Sequence, residues 1–118
     1  KGKGKGTTLN TPLPAGSGDI EFLDAIENQL LPAANIFQPS IVIISAGFDA
    51  HISDPLGGMK VSADGFRKMT RSLMVLAEQF CEGRIVSLLE GGYDLDGLAK
   101  CVETHLDALG QEVEAVAV

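Results

Sequence analysis

Apolar residues recur along the chain in two different patterns, and the order of these patterns predicts the elements. Apolar side chains three or four residues apart, as in an amphipathic helix, occur in residues 20–38, 63–82 and 95–109. Mostly apolar runs without alternation at residues 41–47 and 84–89 predict strands that are buried on both faces of a parallel sheet. We therefore expect helices and strands to alternate along the chain.

Turn and capping residues predict where these elements begin and end. Asp19 can accept hydrogen bonds from the free amides of the first helix, and Ser62 or Asp64 can cap the second. Gly83 should end the second helix. Residues 7–13 carry β-branched and apolar positions between glycines and prolines, so they predict a short strand at a sheet edge.

The resulting order, in which a strand precedes each helix, predicts an α/β fold with helices packed on a parallel sheet. In such sheets, functional residues collect at the carboxyl ends of the strands. Two chemically unusual loops, residues 48–58 and 90–93, follow the two clearest predicted strands. We expect both loops to lie at the same edge of the sheet.

The composition indicates a globular unit and argues against nucleic acid as a direct partner. With 118 residues and 45% hydrophobic content, the chain can form one packed core, as one domain or part of one. The net charge of −7 disfavours binding to a phosphate backbone. The basic cluster Lys1, Lys3 and Lys5 alternates with glycines, so residues 1–6 are interpreted as a flexible N-terminal end, with an anion-binding arm as the alternative.

The two cysteines, Cys81 and Cys101, show neither a secreted disulfide framework nor a paired metal-binding spacing. We expect a reducing compartment, which is the cytoplasm or, in a eukaryote, alternatively the nucleus. The longest strongly apolar stretch, residues 41–46, is too short to span a bilayer. We therefore expect no contact with a membrane.

The first loop contains a possible metal site. Asp49, His51 and Asp54 lie within six residues and would supply two carboxylates and an imidazole, a set suited to zinc or another divalent cation. Acidic loop residues also serve as caps and turn formers, so the spacing leaves both interpretations open.

The second loop contains a possible oxyanion donor. Gly91 and Gly92 allow tight backbone geometry between a strand and a helix, and Tyr93 is the only tyrosine. A phenol held in a water-poor site can stabilise charge that develops on a substrate oxygen. The alternative is a tyrosine at the edge of the core with its hydroxyl in water.

Together, the motifs in these loops resemble the histone deacetylase and acetylpolyamine amidohydrolase family. The resemblance is carried by residues 45–51, 54–57 and 90–93, in that order, with further similarity in residues 4–19. It implies a three-layer α/β/α fold with a parallel sheet, of the arginase/deacetylase type. It also implies that residues 1–118 are the C-terminal half of a single catalytic domain, present as a C-terminal fragment.

The resemblance assigns different roles to the residues of the first loop. It implies that Asp54 is a zinc ligand (Zn2+), whereas Asp49 and His51 are structural or peripheral. It places Val61 in the wall of the channel that receives the acyl-lysine. This replaces the hypothesis of three ligands from one loop.

In the second loop, the resemblance makes Tyr93 the catalytic tyrosine, with Gly91 and Gly92 shaping the pocket beside it. The implied reaction is hydrolysis of the acetyl amide of acetyl-lysine or of an acetylated polyamine, which yields acetate and a free amine. The implied substrate-binding residues are therefore Gly91, Gly92 and Val61.

The resemblance also shows what this sequence does not contain. The family takes its other zinc ligands from an earlier Asp-x-His motif and its acid and base from a His-His pair, but this chain has only His51 and His105. We expect the isolated chain to be inactive, because a catalytic zinc site generally needs three protein ligands. His105 is interpreted as a surface or packing residue, and residues 111–118 as a tail.

Two other classes of function are weighed against the deacetylase. A nucleotide- or phosphate-binding α/β fragment is disfavoured, because residues 2–7 follow no strand and acidic residues surround residues 90–93. A non-catalytic interaction module is the second alternative. Its partner would be the missing N-terminal half of the domain or a second copy of the chain.

Overall fold

The computed structural model describes residues 2–115 as alternating helices and strands. Residues Gly2–Gly4 form a short 3-10 turn. The other elements are α1 (Asp19–Asp24), a π-helical segment (Ala25–Leu30), α2 (Leu31–Phe37), β1 (Val42–Ala46), α3 (Ala63–Cys81), β2 (Ile85–Leu89) and α4 (Leu95–Leu109). The alternation that the apolar spacing predicts is confirmed from α1 onward.

The two strands form a parallel sheet, as predicted. The register runs from Val42 opposite Ile85 to Ala46 opposite Leu89. A parallel pair requires a crossover connection, and α3 provides it. The loops that leave β1 and β2 therefore emerge at the same edge of the sheet.

Helices α3 and α4 cover one face of this sheet and form the core with it. The buried members of the core cluster are Ala46, Phe48, Val61, Phe66 and Cys101. The rings of Phe48 and Phe66 meet edge to face, with their centroids 5.0 Å apart. This packing holds the start of the first loop against α3.

The opposite face of the sheet is uncovered in residues 2–115. Ile43, Val86 and Leu88, which we call the open sheet face, are 62%, 44% and 54% exposed. The prediction that both strands are buried on both faces is therefore wrong for the described chain. The described residues supply the sheet and one helical layer of the expected three-layer fold.

The predicted edge strand is also wrong. Residues 7–13 pair with no strand. Pro12 and Pro14 lack an amide hydrogen, which limits the ladder that this segment can form. Residues 6–9 instead line a groove of about 620 Å³ beside α2 and β1.

Helix capping follows the prediction at α3 and departs from it at α1. Ser62 caps α3, and its hydroxyl accepts a 3.0 Å hydrogen bond from the Gly65 amide. Gly18, not Asp19, is the N-cap of α1. The carboxylate of Asp19 accepts instead from the amide and the hydroxyl of Ser62, at 2.7 and 2.6 Å, and so ties the starts of α1 and α3 together.

The ends of the chain add little regular structure. Residues 112–115 have none, and residues 116–118 of the predicted tail lie outside the described residues, as does Lys1. Within residues 2–115, the helices are too short or too polar to cross a bilayer.

Candidate active site

The loops that follow β1 and β2 meet at the carboxyl edge of the sheet. The amide of Phe48 donates a 2.8 Å hydrogen bond to the carbonyl of Gly91, and the amide of Glu90 donates at 3.0 Å to Ala46. The predicted meeting of these loops is therefore observed, and it sets the position of each candidate residue.

The carboxylate of Asp54 lies at the junction of the loops. Oδ1 accepts hydrogen bonds from the amides of Leu56 and Gly57, at 2.8 and 3.0 Å. Oδ2 accepts a 2.8 Å hydrogen bond from the amide of Tyr93. Asp54 thus closes a turn in its own loop and binds the next loop at the same time.

These contacts favour the ionised form of Asp54. Desolvation raises the pKa of Asp54, but hydrogen bonds from the amides of Leu56, Tyr93, Gly57 and Asp94 outweigh it, so the pKa of this carboxyl lies below its ordinary value. The carboxylate is therefore ionised at neutral pH.

This donor set fits one ligand of a zinc site and not a complete site. Within residues 2–115, no three His, Cys, Asp or Glu side chains come together in a way that could hold a metal ion. The hypothesis that Asp49, His51 and Asp54 form a metal site is therefore wrong for the described chain. Further ligands would have to come from outside it.

Asp49 and His51 point to other partners. Ideal Cβ atoms built on Gly47 and Gly91 would each lie 2.9 Å from a carboxylate oxygen of Asp49, so that side chain packs between two glycine backbones. The Nδ1 atom of His51 lies 2.7 Å from the Ser53 hydroxyl. Both contacts suit the structural roles that the family resemblance implies.

Tyr93 lies beside Asp54 and is 56% exposed in this chain. Its amide is held by the carboxylate of Asp54, and no hydrogen bond to its phenol is found within residues 2–115. The phenol is thus available to a ligand, and its catalytic role remains a prediction.

The glycines before Tyr93 allow close packing. Gly92 has a φ of +136°, which an L side chain rarely adopts, and a Cβ there would lie 2.8 Å from Leu98 and 3.3 Å from Phe48. Gly91 packs against Asp49, as described above. Both glycines therefore hold the loop against its neighbours, and contact with a substrate remains a prediction.

Val61 occupies a different environment from the one expected. Its side chain is 0% exposed and belongs to the core cluster. Its amide donates to the carbonyl of Ala50 and its own carbonyl accepts from Ile52, at 3.0 and 2.9 Å. A fully enclosed side chain cannot line an open channel, so this structure gives no support to Val61 as a substrate contact.

Two residues, Ser53 and Asp94, gain roles that the sequence analysis did not assign. The hydroxyl of Ser53 donates a 2.7 Å hydrogen bond to Oδ2 of Asp94, which also caps α4 by accepting from the Gly97 amide. An aspartate just before a helix was a detectable capping signal, whereas nothing in the sequence pairs it with Ser53. Of the two interpretations given for His105, packing is confirmed, because its side chain is only 6% exposed.

Comparisons with known proteins agree with this geometry. A family model described as the histone deacetylase domain matches residues 1–109. The chain is 44% identical over 109 residues to histone deacetylase 14, chloroplastic, of Arabidopsis thaliana, covering 92% of this chain and 26% of that protein. It is 43% identical over 96 residues to a probable deacetylase of Archaeoglobus fulgidus, covering 81% and 27%.

Solved structures give the same result. The structure of the histone deacetylase Clr3 matches with a TM-score of 0.85 and 34% identity, over 92% of this chain and 18% of that one. The HDA15 HD domain matches with a TM-score of 0.75 and 38% identity, over 81% and 26%. The predicted α/β deacetylase fold is confirmed, and the chain spans about a quarter of the length of the two relatives named above.

Proposed function

Because this chain belongs to the histone deacetylase family, we propose that it supplies one zinc ligand and one oxyanion donor to a deacetylase site. Asp54 is the ligand and Tyr93 is the donor. The other ligands and the general base would come from outside residues 2–115. The isolated chain would then be inactive.

The observation that carries this proposal is the contact between the two candidate residues. Oδ2 of Asp54 accepts from the Tyr93 amide at 2.8 Å, so a cation ligand and a phenol are joined at one edge of the sheet. A metal and an oxyanion donor must act on the same carbonyl group, and this contact keeps their protein groups together.

In the proposed site, Asp54 would hold the metal through its carboxylate. Zinc, when bound, would supply Lewis-acid polarisation of the carbonyl and a more acidic water. The phenol of Tyr93 donates a hydrogen bond to the carbonyl oxygen as negative charge develops on it. Water adds to the carbonyl carbon, the C–N bond breaks and the amine leaves with a proton.

The proposed substrates are acetylated amines, either acetyl-lysine in a protein or an acetylated polyamine. The products are acetate and the free amine. Both substrates present the same amide to Tyr93 and Asp54, so these residues act on the shared group. The choice between the substrates would be made by residues that line the rest of the pocket.

Replacing Tyr93 with Phe tests the catalytic assignment. The experiment uses a complete deacetylase domain that carries this chain as its C-terminal part. Such a domain can be built from the Archaeoglobus fulgidus relative by replacing its matching 96-residue segment with the corresponding part of this chain. We call this the complete domain. Loss of one oxyanion donor should lower kcat by about a hundredfold or more, while zinc content stays the same. An unchanged kcat would remove Tyr93 from the mechanism.

A second candidate function is association through the open sheet face. Ile43 and Leu88 expose 62% and 54% of their surface on neighbouring strands, and a contiguous apolar patch of this kind is typical of an interface. The partner would be the N-terminal half of a deacetylase domain or a second copy of the chain.

A further inference from the structure

His105 is a buried histidine that the proposed mechanism does not use. It lies on α4 with 6% of its surface exposed. Nδ1 lies 2.7 Å from the hydroxyl oxygen of Thr70 on α3, and Nε2 lies 2.8 Å from that of Ser87 on β2. One imidazole ring therefore joins both helices to the strand that leads into the second loop.

The hydrogen bonds around the ring require its neutral form. The hydroxyl of Thr70 donates to the carbonyl of Phe66, so its oxygen is left to accept from Nδ1–H of His105. Nε2 then accepts from the hydroxyl of Ser87. A proton on Nε2 would turn this acceptor into a donor, and the Ser87 hydroxyl would have to rotate away from the ring.

The same ring supports the junction of the two loops. The rings of His105 and Phe48 meet edge to face, with their centroids 5.6 Å apart. The amide of Phe48 donates the 2.8 Å hydrogen bond to Gly91 that joins the loops. A Cβ on Gly92 would lie 3.3 Å from Cβ of Phe48, so Phe48 also packs against the second loop. His105 therefore contacts β2 and the start of the first loop, and both lead directly into the junction.

The groups that face the ring within residues 2–115 offer no charge to balance a proton. Thr70, Ser87 and Phe48 are uncharged, and β2 contains no charged residue. Cys101, one turn earlier on α4, has a pKa that burial raises to about 11, so its thiol is neutral as well. Burial alone lowers the pKa of His105 below its ordinary value.

The charged side chains of the packed elements are directed elsewhere. On α3, Arg71 bonds to Gln111 and Lys68 pairs with Asp64. Asp49, which follows Phe48, packs between two glycine backbones. The other charged groups of α3 and α4 are exposed or paired at the surface: Arg67, Glu78, Asp96, Lys100, Glu103 and Asp107. A proton taken up by the enclosed ring would thus lack a counter-charge, which favours any state that exposes the ring to water.

We propose that His105 is a pH-sensitive tie beneath the loop junction. The neutral ring holds Ser87 and Phe48 in place, and uptake of a proton releases them, so the hydrogen bond from Phe48 to Gly91 opens. The opening is local and reversible. It goes beyond the proposed function, because it concerns the junction itself and requires no role for Asp54.

Amide hydrogen exchange in the complete domain tests this inference. The protection of the Phe48 amide, corrected for the intrinsic effect of pH on exchange, should fall about fivefold from about pH 7.5 to about pH 5.5. The reason is that the ring takes up a proton near pH 6.5 once it is exposed. The amide of Leu73, in the middle of α3, should stay better protected than that of Phe48 at both pH values. Equal protection of the two amides would mean that the junction opens only with global unfolding, and would overturn the proposal.

His105→Gln is the decisive variant. The side-chain amide of Gln supplies one donor and one acceptor, so it can keep the contacts with Thr70 and Ser87, but it does not titrate. The protection of the Phe48 amide should be close to that of the parent at the higher pH and stay level as pH falls. A fall equal to that of the parent in this variant would exclude His105 as the cause.

His51→Gln is the matched control, because His51 is the other histidine of the sequence. It lies in the first loop, and its replacement should leave the fall in Phe48 protection unchanged. Loss of the fall in His51→Gln, with its retention in His105→Gln, would assign the titration to His51 and refute the proposal.

His105→Leu tests whether the hydrogen bonds of the ring support the junction. Leu fills space but leaves the hydroxyls of Thr70 and Ser87 without their partner. The Phe48 amide should then be less protected than in the parent at both pH values, with no fall between them. Protection equal to that of the parent at the higher pH would contradict the proposal. Since the measurement is exchange and not deacetylation, failure of the proposed function would leave these outcomes unchanged.

Discussion

The main-chain amide of Tyr93 donates a 2.8 Å hydrogen bond to Oδ2 of Asp54, although 39 residues separate the two in sequence. The contact exists because β1 and β2 are parallel neighbours whose loops leave at the same edge. It joins Asp54, the proposed metal ligand, to Tyr93, the single tyrosine of the sequence.

Replacing Asp54 with Asn should lower the zinc affinity of the complete domain. The amide nitrogen of Asn would face either Tyr93 or the two amides of the turn, so at least one hydrogen bond would be lost together with the negative charge. The loss should exceed the roughly 10- to 100-fold effect of removing an outer-shell partner. Metal content measured by elemental analysis checks this prediction.

The matched control for that variant is Asp107→Asn. Asp107 is an exposed aspartate in the last turn of α4, away from the two loops. Its replacement removes the same charge and should leave zinc binding unchanged. Full metal occupancy in Asp54→Asn would contradict the ligand role.

Two adjacent glycines should respond differently to alanine. A Cβ on Gly57 would overlap the carbonyl oxygen of Asp49, which is main chain and cannot swing aside. Gly57→Ala should therefore cost about 1–3 kcal/mol of the free energy of unfolding, as overpacking does. It should also displace the turn that Asp54 closes.

Gly58→Ala serves as the comparison. A Cβ there meets nothing within 4 Å, and the cost comes only from its φ of +64°. That cost should be about 1 kcal/mol, with zinc affinity unchanged. Denaturant unfolding of both variants measures the difference in their free energies of unfolding. An equal loss of zinc affinity in the two variants would refute the packing argument.

His105 should make stability depend on pH. The hydroxyl of Thr70 donates to the carbonyl of Phe66 at 2.7 Å, so its oxygen accepts from Nδ1–H of His105. Nε2 then accepts from the hydroxyl of Ser87 at 2.8 Å. Both ring nitrogens are satisfied by the neutral form, and burial lowers the pKa of His105 below its ordinary value.

The direction in which the free energy of unfolding changes with pH follows from the number of protons that each state binds. In the unfolded chain this histidine takes up a proton near pH 6.5, whereas the native chain resists until a lower pH. The unfolded state then binds more protons, so the free energy of unfolding should decrease as pH falls below about 6.5 and stay level above it. Thermal unfolding between about pH 8 and pH 5 measures this decrease, and His105→Gln should flatten it. An equal decrease in that variant would exclude His105 as the cause.

The open sheet face should cause the isolated chain to self-associate. The double variant Ile43→Thr/Leu88→Thr removes apolar surface from this face but keeps β-branched residues, which are favoured in strands. The apparent mass measured by light scattering should therefore fall toward that of the monomer. Ile20→Thr is the control, because Ile20 is 80% exposed on α1, outside this face. A parent chain that is already monomeric and unfolds cooperatively would contradict the prediction.

Sequence patterns predicted the helices and strands well where residues close in sequence determine them. The strand predicted at residues 41–47 extends one residue beyond each end of Val42–Ala46, and the strand predicted at residues 84–89 starts one residue before Ile85–Leu89. The helix Leu95–Leu109 has the predicted bounds. The failures have a different origin. Asp19 has the chemistry of a cap, but it forms its hydrogen bonds with Ser62, 43 residues away.

The candidate site likewise has features that local motifs predicted and features that depend on distant contacts. Motifs in the two loops were enough to select Asp54 and Tyr93 as candidates and to indicate the family. The same approach assigned Val61 to a channel, although its side chain is enclosed in the core. The partnership of Ser53 with Asp94 had no trace in the sequence, because neither residue type implies the other.

Apolar spacing was sufficient for the long helical segments, for β1 and β2 and for their parallel order, since these depend on contacts within a few residues and on a general rule for crossovers. Which side chains meet was settled by the packing of α3 and α4 on the sheet. That packing brings position 53 to 94 and position 54 to 93, across 41 and 39 residues of chain. Contacts at such separation depend on the whole fold, and no local pattern encodes them.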